Sequence, residues 1–142
     1  MSYAGVGRRF VAVSVDGILL FVLALGIAYV TGGTYAERND SGANAGFTLD
    51  GGGALAWILG AFAYYVVSEL VFGATIGKLV VGLRVVNGDG EPITLGQALL
   101  RNIVRPVDFA FLYLVAAIAV WTSPQRQRLG DRAAATFVVR AA

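Results

Sequence analysis

GRRFVAVSVDG, residues Gly7 to Gly17, opens a long apolar run with two arginines, Arg8 and Arg9, and sets one acid, Asp16, inside it. From Phe10 to Val30 there are about 21 mostly apolar residues, roughly 31 Å as a helix, which matches a hydrocarbon core of about 30 Å. An ionisable side chain inside a membrane-length helix costs about 2.5–3.5 kcal/mol on insertion scales unless it is paired or neutralised. Asp16 therefore marks a functional site by default, unless a partner explains it. A signal peptide is the competing reading, with Arg8 and Arg9 as a basic start and Gly26-Ile27-Ala28 as a loose cleavage site. The run is longer than the usual apolar region of about 7–15 residues, and an acid near its start fits poorly, which favours a retained helix.

The 142-residue chain is 57% hydrophobic with a mean hydropathy of +0.71, more than a soluble fold needs to fill a core, and so falls among membrane proteins. It has no cysteine, which excludes a disulfide framework and a thiolate metal site. It has no histidine, the commonest general base and metal ligand. Catalysis would have to rest on carboxylates, and no paired-carboxylate motif nominates a base or nucleophile, so neither an enzyme nor a cofactor or metal is expected. The net charge of +2 is too small to point to nucleic acid.

Ala54 to Phe72 is a second apolar run of about 19 residues, long enough to cross back. Between the two runs, Thr31 to Gly53 is rich in Gly, Thr, Asn and Asp and reads as a polar loop. It carries Glu37, Arg38, Asp40 and Asp50, whereas ten of the eleven basic residues lie elsewhere in the chain. Positive charge prefers the cytoplasmic side, which puts Arg8 and Arg9 inside, the acidic loop outside, and Lys78 and Arg84 inside again. Within the loop, Asn39-Asp40-Ser41 matches an N-glycosylation triplet by pattern alone.

After the second run, LVVGLRVV (79–86) and the turn cluster NGDG predict a short strand and a turn. Thr94 with Gln97 three residues on fits a capping box, so a helix should start at Thr94. Leu95, Ala98, Leu99, Ile103 and Val104 fall near one face, with Gln97, Arg101 and Arg105 off it, as for a helix on the inner interface. Pro106 predicts a break or kink at Arg105. Only about 15 residues, Val107 to Trp121, then precede Ser123-Pro124, fewer than a span needs. A full third crossing would place Arg126, Arg128, Arg132 and Arg140 outside, against the charge rule. A re-entrant hairpin around Pro106 to Asp108 returns the tail to the cytoplasm and is favoured. There, ATFVVR (135–140) could pair as a strand with Leu79 to Val86.

Gly73-Ala-Thr-Ile-Gly77-Lys78 is no phosphate loop: three residues rather than four separate the glycines, and Leu79 follows the lysine. Its glycines read as sites of close backbone packing and Lys78 as a headgroup anchor. Arg9 and Asp16 are seven residues apart, about 10 Å along a helix, too far for a direct ion pair. The partner of Asp16 is therefore sought in Arg101 or Arg105. Glu69, near the inner end of its run, has a solvated reading as its simplest. Arg105 and Asp108 sit where a hairpin tip would enter, and Asp131 lies among Arg126, Arg128 and Arg132.

Together these residues resemble the RDD family of small membrane proteins, named for one arginine and two aspartates. Arg9 and Asp16 match the R and the first D, and Asp131, in QRLGDRAAAT (127–136), looks like the second D. TIGKLVVGLRVV (75–86) is similar to the family's T-x-G-K-x-x-x-G-x-R-V-V signature, and SPQRQ (123–127) fits its S-P-x-x-Q segment. A common family position before the second D is His, where this chain has Gly130. The resemblance implies a membrane protein without a settled molecular activity, with transport suggested for the family and sodium–proton exchange proposed for some members.

The expected fold is an all-α polytopic membrane protein: two transmembrane helices, a third membrane-embedded or re-entrant helical segment, and a small cytoplasmic β ribbon. As a single domain, 1–142, it divides into helix 1 over about 8–30, an extracytoplasmic loop 31–53, helix 2 over 54–72, and a cytoplasmic strand and turn 73–93. A helical hairpin or third span 94–122 and a cytoplasmic tail 123–142 complete it. The candidate charge network is Arg9, Asp16, Asp131, Arg105, Asp108 and Glu69. It fits a transport or ion-coupling component of the inner cell membrane or, alternatively, a non-catalytic assembly or scaffold module. The expected partners are the lipid bilayer and either further copies of the chain or another membrane protein; no nucleic acid is expected.

Overall fold

The computed structural model describes residues 2–110 and 114–141, with no description of the side chains of residues 108–110, 115 and 116. Two helices are long and apolar enough to cross a membrane: α1, Val6–Thr31, and α2, Gly51–Phe72. At 1.5 Å per residue they are about 39 and 33 Å long. Phe10, Ile18, Phe21, Val22, Tyr29 and Val30 on α1 are exposed, as are Leu55, Ile58, Leu59, Val71 and Phe72 on α2. Large apolar side chains exposed in such numbers along helices of this length suit lipid rather than water. The chain divides into two compact units, one of residues 17–63 and the other of 1–16 with 64–142.

In the unit of residues 17–63, Trp57 donates its indole N–H to the Leu20 carbonyl at 2.8 Å, and Gly60 leaves room for Leu23. α2 begins before its apolar run because Asp50 caps it: the carboxylate accepts from the Gly53 N–H and the Asp50 carbonyl from the Ala54 N–H. Three poor helix formers, Gly51 to Gly53, are thereby carried into the first turn. The stretch expected to be a plain polar loop forms an antiparallel hairpin, β1 (Thr34–Asn39) with β2 (Gly42–Phe47), in register from Thr34 opposite Phe47 to Asn39 opposite Gly42. Neither strand shows apolar alternation, because β1 is exposed on both faces and β2 nearly so. The glycosylation-like triplet spans its turn.

The other unit holds the short elements. Thr75 caps α3 (Ile76–Val80), its hydroxyl accepting from the Lys78 N–H. β3 (Leu83–Asn87) follows and pairs antiparallel with β4 (Thr136–Arg140), from Leu83 opposite Arg140 to Asn87 opposite Thr136. This is the ribbon expected between 79–86 and 135–140, and Leu83, Val85 and Val138 bury its inner face. Tyr3 adds a bridge to Val139. The capping box at Thr94 and Gln97 is present, and α4 runs Leu95–Ile103.

The break expected around Pro106 is present, one residue before Arg105. The chain bends at Val104 and restarts at once as α5, Arg105–Ala110, with Pro106 in its first turn, where a missing N–H costs nothing. α6, Leu114–Thr122, follows, and α7, Leu129–Ala133, precedes the last strand. One difference concerns the face of α4. Ala98 does not group with the leucines; it is buried with Arg101, Asn102 and Arg105, while Leu95, Leu100, Ile103 and, beyond the bend, Val107 are exposed. The polar stripe of this segment faces the protein and the apolar stripe faces out.

The closest backbone approach is at Gly77, where an added Cβ would lie 2.0 Å from the Ala12 carbonyl oxygen and 2.9 Å from Asp16 Cγ. Gly77→Ala is therefore expected to lower the thermal unfolding temperature of the detergent-solubilised chain sharply. Gly96→Ala, in a helix with open space at the Cβ, is expected to leave it unchanged or raise it. Equal behaviour of the two variants would contradict this packing.

Candidate functional site: a buried charge cluster

α7 brings Asp131 into the interior, 1% exposed, and three arginines converge on it. Arg9 donates to Oδ2 at 2.8 Å, Arg101 approaches Oδ1 through Nη1 at 3.1 Å, and Arg128 lies 3.8 Å away through Nε. The Arg128 backbone N–H also donates to Oδ2, so the carboxylate caps its own helix while holding the arginines. Arg9 donates in addition to the carbonyls of Arg126 and Ala4. Arg126 has φ at 51°, a left-handed conformation that a non-glycine residue adopts at some cost, and its carbonyl is bound by Arg9 at 2.6 Å.

Glu69 is the second centre. It reads in the sequence as a solvated acid near a helix end, yet it is fully buried. Lys78 pairs with its Oε1, Arg101 Nε lies 2.9 Å from Oε2, Asn102 donates to Oε2 at 3.1 Å, and Arg105 is 3.5 Å from Oε1. Lys78 is thus no headgroup anchor: it is 6% exposed and turned inward. Arg105 also donates to Asn102 Oδ1 and stacks over Tyr65, 3.7 Å from the ring centroid, a cation–π contact that suits a desolvated guanidinium. Arg101 joins the two centres and donates to the Thr136 hydroxyl at 2.8 Å, which ties α2, α4, α7 and β4 together.

Asp16, 2% exposed, does not have the arginine partner sought for it. Its Oδ1 accepts from the Tyr64 hydroxyl at 2.7 Å and the Gly77 N–H at 2.8 Å, and Oδ2 from the Thr75 hydroxyl at 2.7 Å. Among the described residues no ion pair includes Asp16, because Arg101 and Arg105 are committed to Glu69 and Asp131. Three neutral donors stabilise a carboxylate without a counter-charge. The T-x-G-K stretch now has a physical reason for each residue: the Thr75 hydroxyl and Gly77 N–H hold Asp16, and Lys78 reaches Glu69.

Of the sequence candidates, Arg9 and Asp131 come together, Glu69 and Arg105 come together, and Asp16 sits apart on neutral donors. The side chain of Asp108 lies outside the described residues. Sequence reasoning did not place Lys78 or Tyr64 in the network; it offered Arg101 only as a partner for Asp16 and Arg128 only as a neighbour of Asp131. One available signal was the capping box at Thr94, which sets the phase of α4 and with it the buried stripe Ala98, Arg101, Asn102 and Arg105. Among the described residues no group of three or more His, Cys, Asp and Glu could hold a metal ion. Gly130, where the family often has His, is a packing position: a Cβ there would lie 2.7 Å from the Arg101 carbonyl oxygen.

Burial by itself would raise the Asp131 carboxyl, but Arg101, Arg128 and Arg9 together hold it well below the usual carboxylate range. Burial lowers the Lys78 ammonium to about 7; Glu69 pulls it back up, while Arg101 and Arg105 push it further down. Below that value both folded and unfolded chains carry the Lys78 proton. Between about 7 and the unfolded value of about 10.4, only the unfolded chain binds it, so stability rises with pH across that window. Thermal unfolding in detergent is expected to show that rise in the wild type and a flattened slope in Lys78→Met. An unchanged slope in the variant would rule out Lys78 as its source.

A comparison with family models matches the chain to the RDD family over residues 3–135. Comparison with curated proteins and with solved structures gave no match. The matched residues include Arg9, Asp16, the Thr75 to Val86 stretch and Asp131, and the chain belongs to the RDD family and is a membrane protein.

Proposed function

We propose that the chain is a membrane-embedded assembly module without catalytic activity, in which the buried charges fasten helices and ribbon into one rigid face for a second copy or a partner membrane protein. The observation that carries this reading is the burial of the three carboxylates among fixed protein donors and cations. Asp16, Glu69 and Asp131 are each at most 2% exposed and each accepts from several fixed donors. A site that loads and releases a hydrated cation needs an acid open to water, and Arg9, Lys78, Arg101, Arg105 and Arg128 surround these acids with positive potential.

The proposed placement is a multi-pass protein of the inner cell membrane with the N-terminus in the cytoplasm, supported by the charge bias of the loops. β3 and β4 share one sheet, so the segment between them crosses the membrane an even number of times or not at all, which favours a dipping segment over a third span. The outward apolar stripe Leu95, Leu100, Ile103 and Val107 would face lipid at the inner leaflet.

A second reading, ion coupling at Asp16, keeps one observation in its favour. Asp16 is the carboxylate held by neutral donors alone among the described residues, with no cation paired to it. Flux in proteoliposomes separates the two. The assembly reading expects background cation and proton flux in wild type and Asp16→Asn alike, with a lower folded yield for the variant. Flux in the wild type that is lost in a normally folded Asp16→Asn protein would overturn it.

A further inference from the structure

The last turns of α2 and the short helix after it form a groove of about 440 Å³, walled by Tyr64, Val67 and Phe72 of α2 and by Ala74, Ile76 and Leu79 beyond it. That volume falls in the range of small-ligand sites, about 300–1,000 Å³. Two hydroxyls reach the wall, and both protons are already donated: Tyr64 to Asp16, and Ser68 to the Tyr64 carbonyl. A polar ligand inside the groove would lose its water and find no free donor, so the groove itself suits an apolar occupant. From Tyr64 to Phe72 its wall follows the helix for about 12 Å. Arg84 stands at the Phe72 end. A Cβ on Gly73, the next residue, would lie 3.9 Å from Arg84 Nε, and the exposed Arg84 side chain has no hydrogen-bond or ion-pair partner among the described residues.

We propose that the groove holds one acyl chain of an anionic phospholipid whose phosphate pairs with Arg84. An apolar slot that ends at an unpaired guanidinium matches such a lipid at both ends, tail in the slot and phosphate on the cation. A second copy of the chain fits less well. A two-fold contact through this face would bring in a second Arg84, and no wall residue is an acid that could meet it. A phospholipid carries its own counter-charge. The site also touches the conserved-acid region of the fold: the Tyr64 ring lines the groove, while its hydroxyl donates to Asp16 and accepts from the Ile76 N–H. The bound chain therefore packs against the side chain that helps to hold Asp16. This inference rests on the membrane location, the groove and Arg84, and it stands whether the chain assembles or transports.

The experiment is native mass spectrometry of the purified full chain, released from detergent micelles that carry equal amounts of phosphatidylglycerol and phosphatidylcholine with matched acyl chains. The wild type is expected to retain one phosphatidylglycerol with an about fivefold preference, the ratio that one basic residue near an anionic headgroup gives. Arg84→Gln is expected to retain the two lipids equally. Arg140 is also exposed, but it pairs with the buried Leu83 and so lies on the opposite face of the ribbon from Arg84; Arg140→Gln is expected to keep the preference. Val67→Trp and Leu79→Trp each fill the groove from an exposed position and are expected to lose the retained lipid. No preference in the wild type, a preference that survives in Arg84→Gln, or unchanged retention in both groove variants would each overturn the proposal. Displacement of the lipid by glycerol phosphate alone would overturn it in favour of a free-phosphate site. Dimers that Val67→Trp splits with lipid retention intact would overturn it in favour of a contact between copies.

Discussion

Arg101 is gripped by two acids from opposite sides, Glu69 on α2 through Nε and Asp131 on α7 through Nη1, and much of the surrounding structure is arranged to make that possible. One side chain thereby ties a membrane-length helix to the last helix and, through Thr136, to the ribbon. Gly130 lets α7 approach the α4 backbone closely enough for Asp131 to reach, and Gly77 does the same where α3 passes Ala12. Neither approach tolerates a Cβ. Close backbone contact and buried charge are thus two aspects of one constraint, since an ion pair repays its desolvation only when the geometry is tight and the remaining lone pairs are satisfied.

The same constraint explains the inverted helix α4. In water, a segment that buries Arg101, Asn102 and Arg105 and exposes Leu95, Leu100 and Ile103 would be turned the wrong way round. On the proposed placement at the inner leaflet, lipid tails are as apolar as leucine, so the apolar stripe loses nothing by facing out, and the polar stripe gains by finding carboxylates inside. Arg105 fits this arrangement closely. It meets Glu69, Asn102 and the face of Tyr65, three contacts that a guanidinium can make at once and an ammonium cannot.

What the sequence revealed follows from which signals are local. Span lengths, the cap at Thr94 and the β-branched run at 79–86 all depend on short stretches, and the two long helices, the start of α4 and the ribbon were accordingly readable, whereas the pairing of Arg9 with Asp131, 122 residues apart, was not. The partner of Asp16 was not, because a search for opposite charge overlooks neutral donors, and Tyr64, Thr75 and Gly77 carry no charge to find. Glu69 was misjudged from its place near a helix end, since nothing local shows that Lys78, Arg101 and Arg105 will close over it. The β1–β2 hairpin was missed for the opposite reason: its exposed strands bury no face, so they leave no alternation to detect.

If the cluster is the lock that holds this unit together, its strength is cooperative and concentrated at Arg101. The direct measurement is a double-mutant cycle of Arg101→Met and Asp131→Asn, read as the unfolding free energy of the full chain in detergent. Each single change leaves buried charges uncompensated and should cost about 3–5 kcal/mol, and the double variant should lose clearly less than the two together. Single losses within about 0.5 kcal/mol, of the size typical for surface positions, would contradict a fold fastened by this cluster.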